Sequence, residues 1–235
     1  MAAFIQGGIA ALTAAMMVMV FLGLWGLSAL RGQAEQELRL LYQQDVDLYL
    51  ERLENNKRLG LVFRRPVLLL FRLEGYMKKG DDEAIRRTIA QLDRMRLPPR
   101  DRVQFCQQRL SFFAAEGDAA EARASRDALA ACLKKARADR LEKYQAMLRD
   151  ADQILAVYVD RDTGIIPALR DQAAQISDPV QRGVLQYRLA KLYYFDGDDE
   201  MVQVYLKRAQ KNLQKTVYEV MIEEALEDRS ALERH

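Results

Sequence analysis

The sequence predicts an all-α protein: an N-terminal transmembrane helix, an α-solenoid of stacked helical hairpins, and a C-terminal capping helix. Three observations predict it. A helix–turn–helix pattern is written over residues 189–209, its turn recurs along the chain at nearly regular steps, and residues 1–30 carry no charge.

The clearest copy of the pattern has Leu189, Ala190 and Tyr193 before Gly197, and Val202, Leu206 and Ala209 after it. Those spacings give each helix one apolar face. Gly197 tolerates the left-handed conformation that ends a helix. Asp198 is placed to accept amide protons at the start of the next helix, and Asp199 and Glu200 suit the positive end of its dipole. Lys79-Gly80-Asp81 and Glu116-Gly117-Asp118 repeat this turn, and Gln44-Asp45 and Arg161-Asp162 stand at the matching places without glycine. The anchors at 44, 80, 117, 161 and 197 are separated by 36, 37, 44 and 36 residues. Four residues before them stand Leu40, Tyr76, Phe113, Val157 and Tyr193; twelve after the last four stand Leu92, Leu129, Ala173 and Ala209. A period of this length is one helical hairpin, which covers its apolar face only by stacking on a neighbour.

From Phe4 to Leu30 the run is long enough for a membrane-spanning helix. A cleaved signal peptide would need a basic start, a shorter apolar core and a small-residue cleavage site. The reading is therefore an uncleaved anchor over residues 1–31, with Gly7, Ala11 and Ala15 on a small-residue face and Trp25 near the interface. Arg31 and Arg39 follow it, so the positive-inside rule places the body in the cytoplasm. From Gln33 a helical pattern resumes at once, with Leu38, Leu41, Tyr42, Val46, Tyr49, Leu50 and Leu53. Asn55-Asn56 and Gly60 loosen the chain before a helix beginning near Arg64-Arg65-Pro66. Its Val67–Phe71 run is too short to span a membrane and reads as core.

Leu97-Pro98-Pro99 is the firmest break, because proline restricts the residue before it. Neither Gly nor Pro occurs between Asp118 and Thr163, and this is the longest step. The helices there are expected to be longer by one or two turns, with a junction near Ala136 to Asp139. Ser177-Asp178-Pro179 starts a helix. Beyond the repeats of residues 32–212, the stripe Leu213, Val217, Val220, Met221, Ala225 and Leu226 predicts a capping helix within residues 213–235. Glu223, Glu224, Glu227 and Asp228 then form its solvated face.

The repeats resemble those of the tetratricopeptide-repeat proteins. Leu189-Ala190, Tyr193, Gly197, Val202, Leu206 and Ala209 match the family pattern of Leu-Gly/Ala, Tyr, Gly, small, large apolar and Ala. The copy around Gly80 matches it in part, with Tyr76, Ile85, Ile89 and Leu92. The copy around Gly117 keeps Phe113 and Ala122 but has Arg126 where the family has a large apolar residue, and no copy has the family's tryptophan. The resemblance spans roughly residues 35 to 212. It implies that the first helix of each hairpin lines a concave groove that binds extended or helical segments of other proteins. The positions it carries to that groove are Leu70, Glu74 and Met77, then Gln104, Gln107 and Ser111, then Leu155 and Tyr158, then Tyr187, Lys191 and Tyr194. The partner-binding residues expected on that basis are Gln104, Gln107, Tyr158, Tyr187, Lys191 and Tyr194, whose polar and aromatic groups can hydrogen-bond and stack. The basic-and-asparagine set with which some members clamp a terminal carboxylate is missing at the matching places.

Catalytic signals are sparse. The only histidine is His235, which is not placed to serve Cys106, Cys132 or a serine as a base. Gly-Asp-Asp-Glu lacks the spacing and lysine of a phosphate loop and the ligand alternation of a calcium loop. No metal or other cofactor is expected. Cys106 and Cys132 fall in the two helices of one hairpin and read as core thiols. With 36 basic and 34 acidic residues, no nucleic-acid partner is expected. The sequence is thus read as a membrane-tethered, non-catalytic protein-interaction scaffold. The rivals are a homo-oligomer whose groove is filled by a neighbour or by its own terminal helix, and an enzyme of unfamiliar type. Exposed Tyr187 and Tyr194 would favour the scaffold; a groove occupied by residues 213–232 would favour the first rival.

Overall fold

A computed structural model describes residues 25–134, 140–214, 216 and 218–234. Among these every regular element is helical, and the helices pack in hairpin-like pairs. The chain divides between Lys79 and Gly80 into two compact units.

The first unit contains α1 (residues 25–44), α2 (Val46–Asn55), a short α3 (Leu59–Val62) and α4 (Arg65–Lys79). Leu38 of α1 joins Tyr49, Leu50 and Leu53 of α2 and Leu59 and Phe63 in one apolar cluster. Arg52 pairs with Glu37 at 2.7 Å along the rim. Leu69, Leu70 and Leu73 of α4 are buried, as the reading of Val67–Phe71 as core requires. Leu40 is 49 % exposed, so α1 does not bury the residue that the repeat spacing selected; Leu38 and Leu41 face the cluster instead.

The membrane anchor is corrected. Residues 1–24 of the predicted span lie outside the described residues. Residues 25–44 form one helix, unbroken into the body, and it carries Arg31, Glu35, Glu37 and Arg39. Four ionised side chains are incompatible with a hydrocarbon-facing helix. Among the described residues no helix is long and apolar enough to cross a membrane. A single-pass placement with a cytoplasmic body is therefore not retained.

The second unit runs through α5 (Asp82–Asp93), α6 (Pro99–Ala115), α7 (Ala119–Leu133) and α8 (Leu141–Ile154). A π turn (Leu155–Val159) continues α8, and a 3-10 turn (Thr163–Ile165) leads into α9 (Ile166–Gln175). Then come α10 (Pro179–Asp196), α11 (Asp199–Asn212), α12 (Tyr218–Glu227) and α13 (Ala231–Arg234). α6 packs most extensively on α7, and α10 on α11. Gln153 of α8 donates to Gln172 of α9 at 2.6 Å. The expected junction at Ala136 to Asp139 touches residues outside those described (135–139). α7 ends at Leu133 and α8 begins at Leu141.

The turns explain why these residues form these pairs. Gly80, Gly117 and Gly197 have φ of 72°, 75° and 82°, and Arg161 has φ of 53°. This left-handed backbone ends the preceding helix and is open to glycine at little cost. Every aspartate after an anchor then caps a helical turn. Asp45 accepts from the amides of Asp47 and Leu48, Asp81 from Ala84, Asp118 from Glu121, Asp162 from Gly164 and Asp198 from Met201. Asp178 caps α10 through Gln181 at 2.8 Å, with Pro179 in the first turn.

The core of the second unit centres on α10. Leu189, Ala190, Tyr193, Val202, Leu206 and Ala209 are all buried in one cluster with Val157 and Ala173, as the spacing predicts. The same cluster continues into the C-terminal segment through Leu213, Ile222, Ala225, Ala231 and Leu232. There the predicted stripe is partly wrong: Val220 is 61 % exposed and Ile222 takes the inward place. Val217 lies outside the described residues. Glu223, Glu224, Glu227 and Asp228 are exposed, as expected.

Two substitutions probe this packing. Asp198→Ala removes the cap of α11 and is expected to lower unfolding free energy by about 1 kcal/mol. A Cβ at Gly183 would meet Leu213 Cγ at 2.7 Å and Asn212 Cβ at 2.9 Å. Gly183→Val is therefore expected to lose about 1–3 kcal/mol or more through overpacking. Urea titration followed by circular dichroism measures both; an unchanged midpoint for Gly183→Val would contradict the close approach of α10 to residues 212–213.

Candidate partner-binding face

Three of the six predicted residues, Tyr158, Lys191 and Tyr194, meet at the C-terminal end of α10, and a fourth, Tyr187, lies further back on the same helix. Tyr158 is on the π turn, which packs against α6 and α10. The π turn carries the Asp160 amide to Leu155 O at 2.9 Å, one residue further back than an α-helix would, and the Asp162 amide closes on Ala156 O at 2.8 Å, two residues further back. Lys191 lies with its ammonium 5.2 Å from the Tyr158 ring centre and 5.6 Å from that of Phe195. It donates to the carbonyl of Leu232 in α13. Tyr194 donates its hydroxyl to Glu233 Oε1 at 2.9 Å. Tyr187, two turns back on α10, stacks edge-on against Tyr218 of α12 with ring centres 5.4 Å apart.

These residues are not a bare groove. Tyr187 is fully buried and Lys191 nearly so, at 2 % exposure; Tyr158 and Tyr194 are half-buried. The residues that cover them belong to α12 and α13, within the stretch whose presence would favour a self-filled groove. Gln104 and Gln107 stand apart. Both are half-buried on α6, two to three helical turns before the α6 residues that approach Tyr158, and neither amide bonds a neighbour among the described residues.

Beside α13 a cavity of about 330 Å³ remains open, lined by Ala114 to Gly117, Tyr158, Arg161, Lys191 and Glu233. Its acids are engaged: Glu116 accepts from Arg86 at 2.6 Å, and Glu233 from Tyr194. The Arg161 guanidinium lies 4.5 Å over the Phe195 ring. Burial, and then the nearby Arg161 charge, lower the Lys191 ammonium to about 8, with Glu233 opposing. Burial raises the Tyr158 and Tyr187 phenols above their ordinary range. The Tyr187 hydroxyl finds no hydrogen-bond partner among the described residues.

Sequence reasoning missed three participants. Arg188 is 4 % exposed and donates to Asp150 at 2.7 Å and to Gln153 at 3.3 Å, tying α10 to α8. Arg161 reads from sequence only as a turn that lacks glycine. Glu233 is a tail acid whose role depends on where the chain folds back. The signal that was available is the density of aromatic and basic residues in α10, which exceeds what one buried face requires.

The remaining expected groove positions are distributed between the two units. In the first, Leu70 is buried, and Glu74 and Met77 are half-buried; burial raises the Glu74 carboxyl. In the second, Leu155 is half-buried and Ser111 exposed. Cys106 is buried, Cys132 half-buried, and both are free thiols. Burial and then the neighbouring Cys132 thiol push Cys106 up to about 11. No group of three or more His, Cys, Asp or Glu residues arranged to hold a metal occurs among the described residues. His235 lies outside them. No protein-family model, curated protein or solved structure matches the chain.

Lys191 gives this end of α10 a pH signature. Its ammonium is penalised in the folded chain, so between about 8 and its unfolded value of 10.5 the unfolded state holds more protons. Stability from this group therefore rises with pH across that window. Relative to Lys191→Met, the wild type is expected to gain on the order of 2 kcal/mol from pH 7.5 to pH 10, measured by urea titration. Parallel pH profiles would contradict a desolvated ammonium.

Proposed function

We propose that the chain is a non-catalytic, tetratricopeptide-like α-solenoid that holds a helical or extended segment of a partner protein. The binding face in this reading is formed by α6, the end of α8 with its π turn, and α10. One observation carries it: α10 already receives a helical segment there, from the chain's own C-terminus. Leu232 is completely buried, Lys191 binds a main-chain carbonyl, and Tyr194 binds a carboxylate. Apolar burial joined to main-chain and side-chain hydrogen bonds is how a groove recognises a helix from another protein. Half-buried Gln104 and Gln107 offer further donors and acceptors on α6.

The same contacts favour the alternative of a homo-oligomer or self-filled groove. The two readings are separated at Gln107 of α6, which is half-buried and whose amide bonds no neighbour among the described residues. In-cell crosslinking from a photoreactive residue at Gln107 separates them. The interaction module predicts recurrent adducts to a foreign protein. Adducts confined to copies of this chain would replace it with the self-associating alternative. Tyr187 is unsuitable for the probe because its ring is enclosed.

A further inference from the structure

We infer that α13 is an exchangeable self-ligand. Tyr158, Lys191 and Tyr194 form a subsite for a helical segment bearing a leucine followed by a glutamate, and α13 fills it until a partner helix of that chemistry displaces it. The inference rests on the interaction-module reading and specifies its ligand.

The C-terminal segment has two parts with different attachments. α12 is fixed by fully buried Ile222 and Ala225 and by the contact of Tyr218 with Tyr187. α13 is four residues long, too short to persist as an isolated helix, so docking supplies its order. Its attachment consists of Ala231 and Leu232 in the apolar seat and two hydrogen-bonded groups, the Leu232 carbonyl and the Glu233 carboxylate. A competing helix needs only those elements: a small residue, a leucine and an acid in succession.

The connection between the parts is satisfied locally. The Ser230 amide donates to Asp228 Oδ1 at 3.0 Å, and the Ser230 hydroxyl donates to Asp228 Oδ2 at 2.7 Å. Neither bond involves the seat, so α13 can leave without breaking them. The flanking Arg229–Asp199 pair, at 2.5 Å, joins a half-buried guanidinium to an exposed carboxylate and adds little hold. Release of α13 also returns the Lys191 ammonium to water, which offsets part of the lost contact. The open cavity beside Glu233, lined by Arg161 and Lys191, gives an incoming acidic side chain access before α13 has left.

The test uses the full chain, a Leu232→Asp variant that empties the seat, and a fluorescent peptide copying residues 226–234. Fluorescence anisotropy is expected to show at least tenfold tighter peptide binding to Leu232→Asp than to wild type. Replacing the peptide's leucine at the place of Leu232 by aspartate should abolish that binding. Acylation of Lys191, quantified by mass spectrometry, should rise at least fivefold in the variant. If circular dichroism shows that Leu232→Asp does not fold, Tyr194→Phe combined with Glu233→Ala provides the decision through the same Lys191 readout. Equal peptide affinity and equal Lys191 reactivity in wild type and a folded variant would overturn the inference and make α13 a permanent part of the core. That result, alongside foreign adducts from Gln107, would sink the subsite while leaving the interaction module intact.

Discussion

The architecture depends on a recurring constraint at the chain reversals: a left-handed or breaking residue followed at once by an aspartate. An α-helix ends with unsatisfied carbonyls and begins with unsatisfied amides, and a short turn must resolve both within a few residues. Gly117 and Gly197 allow the amides of Asp118 and Asp198 to bond back to Phe113 and Tyr193, at 2.9 and 3.0 Å. The same aspartates then accept the next helix's amides through their side chains. One residue thus closes the outgoing helix with its backbone and opens the incoming one with its carboxylate. At Arg161, where glycine is absent, the apolar positions four before and twelve after, Val157 and Ala173, are still buried, whereas at Gln44 Leu40 is not.

Arg161 shows what happens when glycine is replaced. Its left-handed φ carries a side-chain penalty that glycine avoids, and here the preceding helix loosens into a π turn. That turn widens the end of α8, keeps Val157 wholly buried and places Tyr158 beside Lys191. The guanidinium is simultaneously laid over Phe195. A departure from the repeat pattern has therefore put an arginine and an aromatic ring at the mouth of the only end of α10 that also carries a buried lysine. The departure and the candidate site coincide.

Much of the fold was legible because helix caps and apolar spacing are local. The reversals at Gly117 and Gly197, the cap at Asp178, the break at Pro98-Pro99 and the buried set around Tyr193 all follow from residues within a dozen positions of one another. Burial of Tyr187 and Lys191 was not legible. It depends on α12 and α13 returning to α10 across some forty residues, as the Lys191–Leu232 and Tyr194–Glu233 bonds record. Leu40 and Val220 failed for a related reason: one turn of a helix offers several apolar residues, and the neighbour chooses among them. An uncharged N-terminal run likewise describes composition alone, whereas the helix continuing from it is already charged by Arg31.

α10 is the element in which fold and function compete. Its Leu189 and Ala190 face the partner helix of its hairpin, as any stacked helix requires, yet Tyr187, Arg188 and Lys191 are also removed from water. Burying two cations in adjacent turns is unfavourable unless each is answered. Arg188 is answered by Asp150 and Gln153, groups of the preceding pair, and is therefore part of the permanent stack. Lys191 is answered by a neutral carbonyl of a four-residue helix and by the faces of Tyr158 and Phe195. Burial, and then the Arg161 charge, lower its ammonium to about 8. A residue selected only for stability at that position would be apolar, as Leu192 is beside it. In the binding reading proposed above, that charge belongs to the seat of which α13 is one occupant.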